Sequence, residues 1–123
     1  MTEGLLIVTL LLAKHFLCDF VLQTAYILNN RRIYGHPAGI LHVAIHGLGS
    51  LAAFLVAGAE LKFAIALIIA AEMVAHYHID WSKDVLQGRL KLSTNDRPFW
   101  WFLGFDQFLH QITYVLMVAW YVT

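Results

Sequence analysis

Cysteine is almost missing from this chain. Cys18 stands alone, so no intrachain disulfide can staple the fold and no cluster of thiolates can hold a soft metal. Charge is scarce as well. Only 13% of the 123 residues are Asp, Glu, Lys or Arg, against about 25% in an ordinary soluble domain. The 8 basic and 8 acidic residues cancel, which leaves no overall field to attract nucleic acid. The opening MTEG has no Lys or Arg, and a secretory signal needs a basic start before its apolar stretch. Internal repeats and low-complexity tracts are missing too.

Apolar residues are what the chain has. They make up 60% of it, and the mean hydropathy is +0.67. A chain this small has too little interior to hide that much apolar surface from water. Soluble globular, disordered and disulfide-framework classes are excluded, and an integral membrane protein is left. Four apolar stretches are long enough to cross a hydrocarbon core, which takes about 20 helical residues: roughly residues 4–28, 39–58, 62–81 and 99–121. The sequence thus predicts an all-α, polytopic membrane protein. Its 123 residues form a single domain, a four-transmembrane-helix bundle with short loops. Residues 29–38 have a turn composition, with Gly35 and Pro37. Residues 82–98 are read as the longest connection, either a short interfacial helix or an irregular basic loop, and Pro98 marks the first turn of the last helix.

The basic residues set an orientation. Arg31, Arg32, Lys83, Arg89, Lys91 and Arg97 fall in the first and third loops, and only Lys62 falls in the second. The positive-inside bias then puts loops one and three in the cytoplasm and both termini outside, in a bacterial inner membrane. Trp81, Trp100 and Trp101 fall at the cytoplasmic boundary, with Trp120 and Tyr121 at the outer one.

What interrupts the apolar runs carries the chemistry. His15, Asp19 and Gln23 punctuate the first, and His42 and His46 the second. Glu72, His76 and Asp80 punctuate the third, Asp106 and His110 the fourth. Within each run the step is four, which turns a helix by only about 40° and aligns each set as one stripe. His15 and Glu72 are expected near mid-membrane and the others in the cytoplasmic half, at depths that let the stripes meet. Ionisable groups at such depth face the bundle interior and pair with something. Four carboxylates cannot gather there uncompensated, and two divalent cations would neutralise them. Helical bundles build metal sites in this way from facing carboxylates and histidines.

The metal-ligand candidates are His15, Asp19, His42, His46, His76, Asp80, Asp106 and His110. Mixed nitrogen and oxygen donors suit zinc first, with manganese or iron as alternatives. Two competing readings use no metal: a hydrogen-bonded polar network in which Lys14 neutralises Glu72 or Asp19, and a proton path. By helical phase His78 faces away from the Glu72–His76–Asp80 stripe, His36 is a loop residue and Cys18 packs. Gln23, Gln107 and Gln111 are hydrogen-bond partners. Gly49 and Ala53 extend the His42/His46 face as small residues that let a neighbouring helix come close.

The segments HFLCDFVLQT at 15–24, HVAIH at 42–46, EMVAHYHIDWSK at 72–83 and DQFLH at 106–110 resemble the bacterial and phage membrane-protein family catalogued as domain of unknown function 3307. The resemblance runs over nearly the whole chain and implies no activity. The pattern is also loosely similar to inner-membrane proteins described as metal-dependent hydrolases, an analogy of residue types. One functional expectation is a membrane-embedded, metal-dependent hydrolase acting on a lipid or lipid-linked phosphate or ester. In it Glu72 is the general base, and Lys83 and Arg97 hold an anionic headgroup. The other is a non-catalytic metal-binding scaffold or accessory subunit of a larger membrane complex. The bilayer is the expected partner in both.

Overall fold

A computed structural model of the chain describes residues 2–123. All of its regular structure is helical: α1 (Glu3–Phe16), a π-helical turn (Leu17–Val21), α2 (Ala25–Asn30), α3 (Pro37–Val56), α4 (Phe63–Arg89) and α5 (Arg97–Val122). Among the described residues, three stretches are long and apolar enough to cross a membrane: Glu3–Val21, Pro37–Val56 and Phe63–Arg89. Helix α5 has 26 residues. Its Trp, Tyr, Gln and His content leaves it less apolar than those three, so the fold carries three membrane-type helices and a fourth long helix packed with them.

Local chemistry explains the boundaries. Thr2 and Thr24 cap α1 and α2, each hydroxyl accepting from a backbone N–H three residues on. His36 caps α3 through Nδ1, which accepts from the Ala38 N–H at 3.0 Å, and Pro37 fills the first helical position. Gly58, at φ +82°, supplies the left-handed turn that ends α3.

The structure corrects two sequence boundaries. The first span does not run on as one helix to residue 28. The Leu22 N–H bonds to the Leu17 carbonyl at 2.8 Å, five residues back, which widens the helix into a π turn. Residues 22–24 then leave helical geometry, and α2 begins afresh at its Thr24 cap. The third span does not end near residue 81. Helix α4 continues to Arg89, so most of the expected loop is its last turns and the connection shrinks to residues 90–96.

The long helices close a ring in which α1 packs on α3, α3 on α4, α4 on α5 and α5 on α1. The diagonal pairs stay apart, and side chains fill the space between them. Towards the termini the filling is apolar, with Ile7, Leu11, Phe54, Ile65 and Met117 in one cluster. Towards the long α4 extension it is polar. The outer surface is the reverse, with Leu48, Phe63, Val74 and Phe105 at least 60% exposed. Polar residues inside and large apolar ones outside fit a lipid surround. Gly49 lies where an added Cβ would come within 3.2 Å of Lys14 Cδ, so this small residue lets the lysine stem cross into the bundle.

Candidate metal centre

The four stripes do converge. His15, on the last turn of α1, and Asp19, in the π turn, reach each other at 3.2 Å between Nε2 and Oδ2. Helix α3 contributes His42 and His46, α4 contributes His76 and Asp80, and α5 contributes Asp106 and His110. All eight are buried, and His42, His46, His76 and His110 are at most 1% exposed.

Asp19 and Asp80 sit at the middle. His46, His42 and His76 turn their Nε2 atoms to Asp19 Oδ1 at 2.8, 3.1 and 3.7 Å. His42 and His76 also face Asp80 Oδ2, at 3.1 and 3.2 Å. His110 Nε2 lies 3.1 Å from Asp80 Oδ1 and 3.6 Å from Asp106 Oδ1. Donor atoms held about 2.0–2.1 Å from a tetrahedral zinc lie about 3.3 Å apart, so these spacings suit the edges of a coordination polyhedron. Three groups have ligand atoms mutually within 4.8 Å: Asp19, His42, His46, His76; His15, His76, His110; and Asp19, His76, Asp80, His110. His76 belongs to all three. These buried His/Asp groups could hold a metal ion.

Asp106 lies beside these groups rather than in them. Its Oδ2 accepts from Gln107 Nε2 at 3.0 Å, and its buried Oδ1 has no hydrogen-bond partner. Glu72 is set apart too. Its Oε1 accepts from Lys14 at 2.6 Å and its Oε2 from the Ser50 hydroxyl at 2.5 Å. Lys14 also donates to the His46 carbonyl at 3.1 Å and meets His46 Nδ1 at 3.2 Å. An ammonium is a donor only, so His46 Nδ1 accepts. The ring's own proton therefore sits on Nε2, directed at Asp19.

The remaining candidates have plain surroundings. Lys83 is buried, 3.1 Å from Asp84 Oδ1. Arg97 is exposed at the start of α5. His78 is exposed and bonds to Tyr34 and to the Val74 carbonyl. Gln107 reaches His15 Nε2 with its carbonyl oxygen at 2.8 Å. Gln23, off the helix, accepts from Arg31. Gln111 is exposed.

Four participants were not among the site residues expected from the sequence. Ser50, Asp84 and Tyr114 each extend a stripe by one more step of four, from His46, Asp80 and His110. The period that found the stripes would have found them. Tyr114 is fully buried and its hydroxyl donates to His15 Nδ1 at 2.8 Å. Arg31 has no periodic signal, because it leaves the end of α2. It is buried, grips both oxygens of Asp84 at 2.6 and 3.2 Å and reaches Asp80 Oδ2 at 3.4 Å.

No match was found among curated proteins or among solved structures. A family model does match, over residues 6–123, and it spans all four stripes. The chain belongs to the family described as protein of unknown function DUF3307.

Proposed function

We propose that this protein is a four-span inner-membrane hydrolase whose His/Asp cluster holds divalent metal, zinc first, near the cytoplasmic interface. The observation that carries the reading is the convergence of five histidine Nε2 atoms on Asp19 and Asp80 in a buried interior. Histidines gathered this tightly around carboxylates form a mixed nitrogen and oxygen donor set of the kind that holds a divalent cation. A bound divalent ion supplies a Lewis acid for an ester or phosphoryl oxygen and makes water acidic near neutrality.

The chain's own residues supply the rest. A groove of about 350 Å³ opens between α4 and α5, lined by Ser82, Lys83, Phe102, Phe105 and Asp106. Its apolar walls suit an acyl or polyprenyl tail, which supports a lipid or lipid-linked phosphate or ester as substrate. Lys83 holds the anionic group there, and Arg97 serves the same charge at the exposed start of α5. Glu72 has both oxygens occupied, so the general base is assigned instead to Asp106. Its free Oδ1 is within the cluster's reach, and its side chain borders the groove. Glu72 then acts on the centre through Lys14 and His46.

The test is metal analysis of the protein in mild detergent, with phosphate or acid release from short-chain phospholipids. Metal-dependent turnover is expected, with Asp106→Asn keeping metal and losing at least tenfold in rate. A metal-free wild-type protein would sink the reading. The accessory-subunit reading draws on a different observation. The space touching His42 and Asp80 is about 10 Å³, room for one water at most. It predicts stoichiometric metal without turnover on any such lipid.

The orientation is tested separately. Of the seven basic residues other than Lys14, six lie at one end of the bundle, in the α2–α3 connection, the last turns of α4, the connection after it and the start of α5, which supports a cytoplasmic location for that end. A C-terminal reporter that works only outside the cytoplasm should be active. A reporter active only in the cytoplasm would reverse the orientation, move the groove to the other leaflet or reduce the spans to three.

A further inference from the structure

Asp19 and Asp80 each divide their two oxygens between two histidine sets. Asp19 Oδ1 faces His42, His46 and His76, while its Oδ2 faces His15. Asp80 Oδ2 faces His42 and His76, while its Oδ1 faces His110. A carboxylate that offers one oxygen to each of two nitrogen pairs has the form of a bridge. We infer that the centre holds two divalent ions bridged by Asp19 and Asp80, one bound by His42 and His76, the other by His15 and His110, with His46 excluded from both. This rests on the metal reading above and adds the division of the ligands between the two cations that the charges led us to expect.

The exclusion of His46 follows from where ring protons can go. All five Nε2 atoms face carboxylate oxygens, so a ring proton or a cation must occupy the space between; those of His42 and His76 also face each other at 3.3 Å. A cation at Nε2 sends that proton to Nδ1. His42 and His76 can take it, because each has a buried Nδ1 without a partner. His15 can take it as well, because its Nδ1 meets the Tyr114 hydroxyl, which can turn from donor to acceptor. His46 cannot, because its Nδ1 faces the Lys14 ammonium at 3.2 Å. His46 therefore donates to Asp19 Oδ1 and orients that carboxylate, as partners around a metal site commonly do.

The charges agree. Of the buried carboxylates, Glu72 has Lys14, while Asp19, Asp80 and Asp106 are left with one cation contact, from Arg31 to Asp80 at 3.4 Å. Two dications, each with two neutral imidazoles and a share of both aspartates, bring four positive charges against these three negative ones, and the surplus of one suits an anionic substrate group. One ion would leave the second histidine pair facing carboxylate oxygens with no cation between.

The measurement is metal content per chain in mild detergent, with the electron paramagnetic resonance spectrum of protein loaded with Mn(II). Two ions and an exchange-coupled spectrum are expected for the wild type. His42→Ala and His110→Ala should each keep one ion and give the six-line signal of isolated Mn(II). His46→Gln should keep both ions. One ion in the wild type, with an uncoupled spectrum, overturns the inference and leaves the metal reading standing; zero ions overturns both. Loss of an ion in folded His46→Gln overturns its exclusion. The wild-type spectrum needs no substitution, so it decides the number of ions even where a variant fails to fold.

Discussion

His76→Ala should cost the protein more stability than any other single histidine change. Bound metal should fall by about half, the ion that His76 shares with His42, and the thermal midpoint in detergent should drop with it. His76 is the one histidine common to all three candidate ligand groups. Its ring also packs between neighbours, 3.8 Å from the His46 ring centroid and 4.1 Å from that of His110. Its removal opens a gap and leaves Asp80 Oδ2 short of one of its buried partners. The metal adds a linked loss. A ligand present at about 100 times its dissociation constant stabilises the folded state by about 2.7 kcal/mol, and that contribution goes with the site. His78→Ala is the control two residues along the same helix. His78 is exposed and bonds outward to Tyr34, so metal content should hold and the midpoint should move little. Metal loss on His78→Ala, or full retention on His76→Ala, would mean that the α4 stripe does not face the ions.

That comparison shows where sequence reasoning succeeds. Helical phase alone separates His76 from His78, because a step of four keeps Glu72, His76 and Asp80 on one line while a step of two crosses the helix. The same rule gathers the stripes of α3, α4 and α5, which are regular helices throughout. It works less well in the first span. Asp19 reaches the centre from a π turn, and Gln23 leaves it, because the backbone adds a residue there and the next helix starts from a new cap. A hydrophobic run cannot announce such a turn. The end of α4 was hidden for a different reason. Its last turns carry Asp84, Gln87 and Arg89 among Val85, Leu86 and Leu90. That composition reads equally as a separate interfacial helix or an irregular loop until Arg31 is seen to reach Asp84 from another element. Distant pairings of this kind have no local signature, and Arg31 entered the reading only as a topology charge. The central partition of oxygens between Asp19 and Asp80 is likewise a product of packing. Stripes show which faces meet and not which atom meets which.

The second large effect is expected at Lys14. Lys14→Met should destabilise the protein by about 3–5 kcal/mol, the range for a buried ion pair that loses one partner. Lys14 and Glu72 come from diagonal helices, α1 and α4, and are among the side chains that join them across the bundle interior. Their side chains are only 8% and 1% exposed. With the ammonium gone, Glu72 keeps the Ser50 hydroxyl and has no cation. Water cannot easily replace it at a carboxylate buried this completely. The cost should therefore come from the stranded carboxylate rather than from the lost attraction, and a second substitution separates these. Lys14→Met with Glu72→Gln removes both charges and keeps an amide for Ser50, so most of the loss should be recovered. If the double variant is no more stable than the single, the lysine is needed for itself. Its contacts with the His46 carbonyl and Nδ1 would then carry the stability, and Glu72 would be incidental. A metal readout follows from the same contact. Without Lys14, His46 Nδ1 can accept a proton and its Nε2 is released to bind a cation. Cobalt(II)-loaded Lys14→Met should then show a changed ligand-field spectrum, and His46→Gln on that background should reverse it. An unchanged spectrum would show that Lys14 does not hold His46 out of the coordination shell.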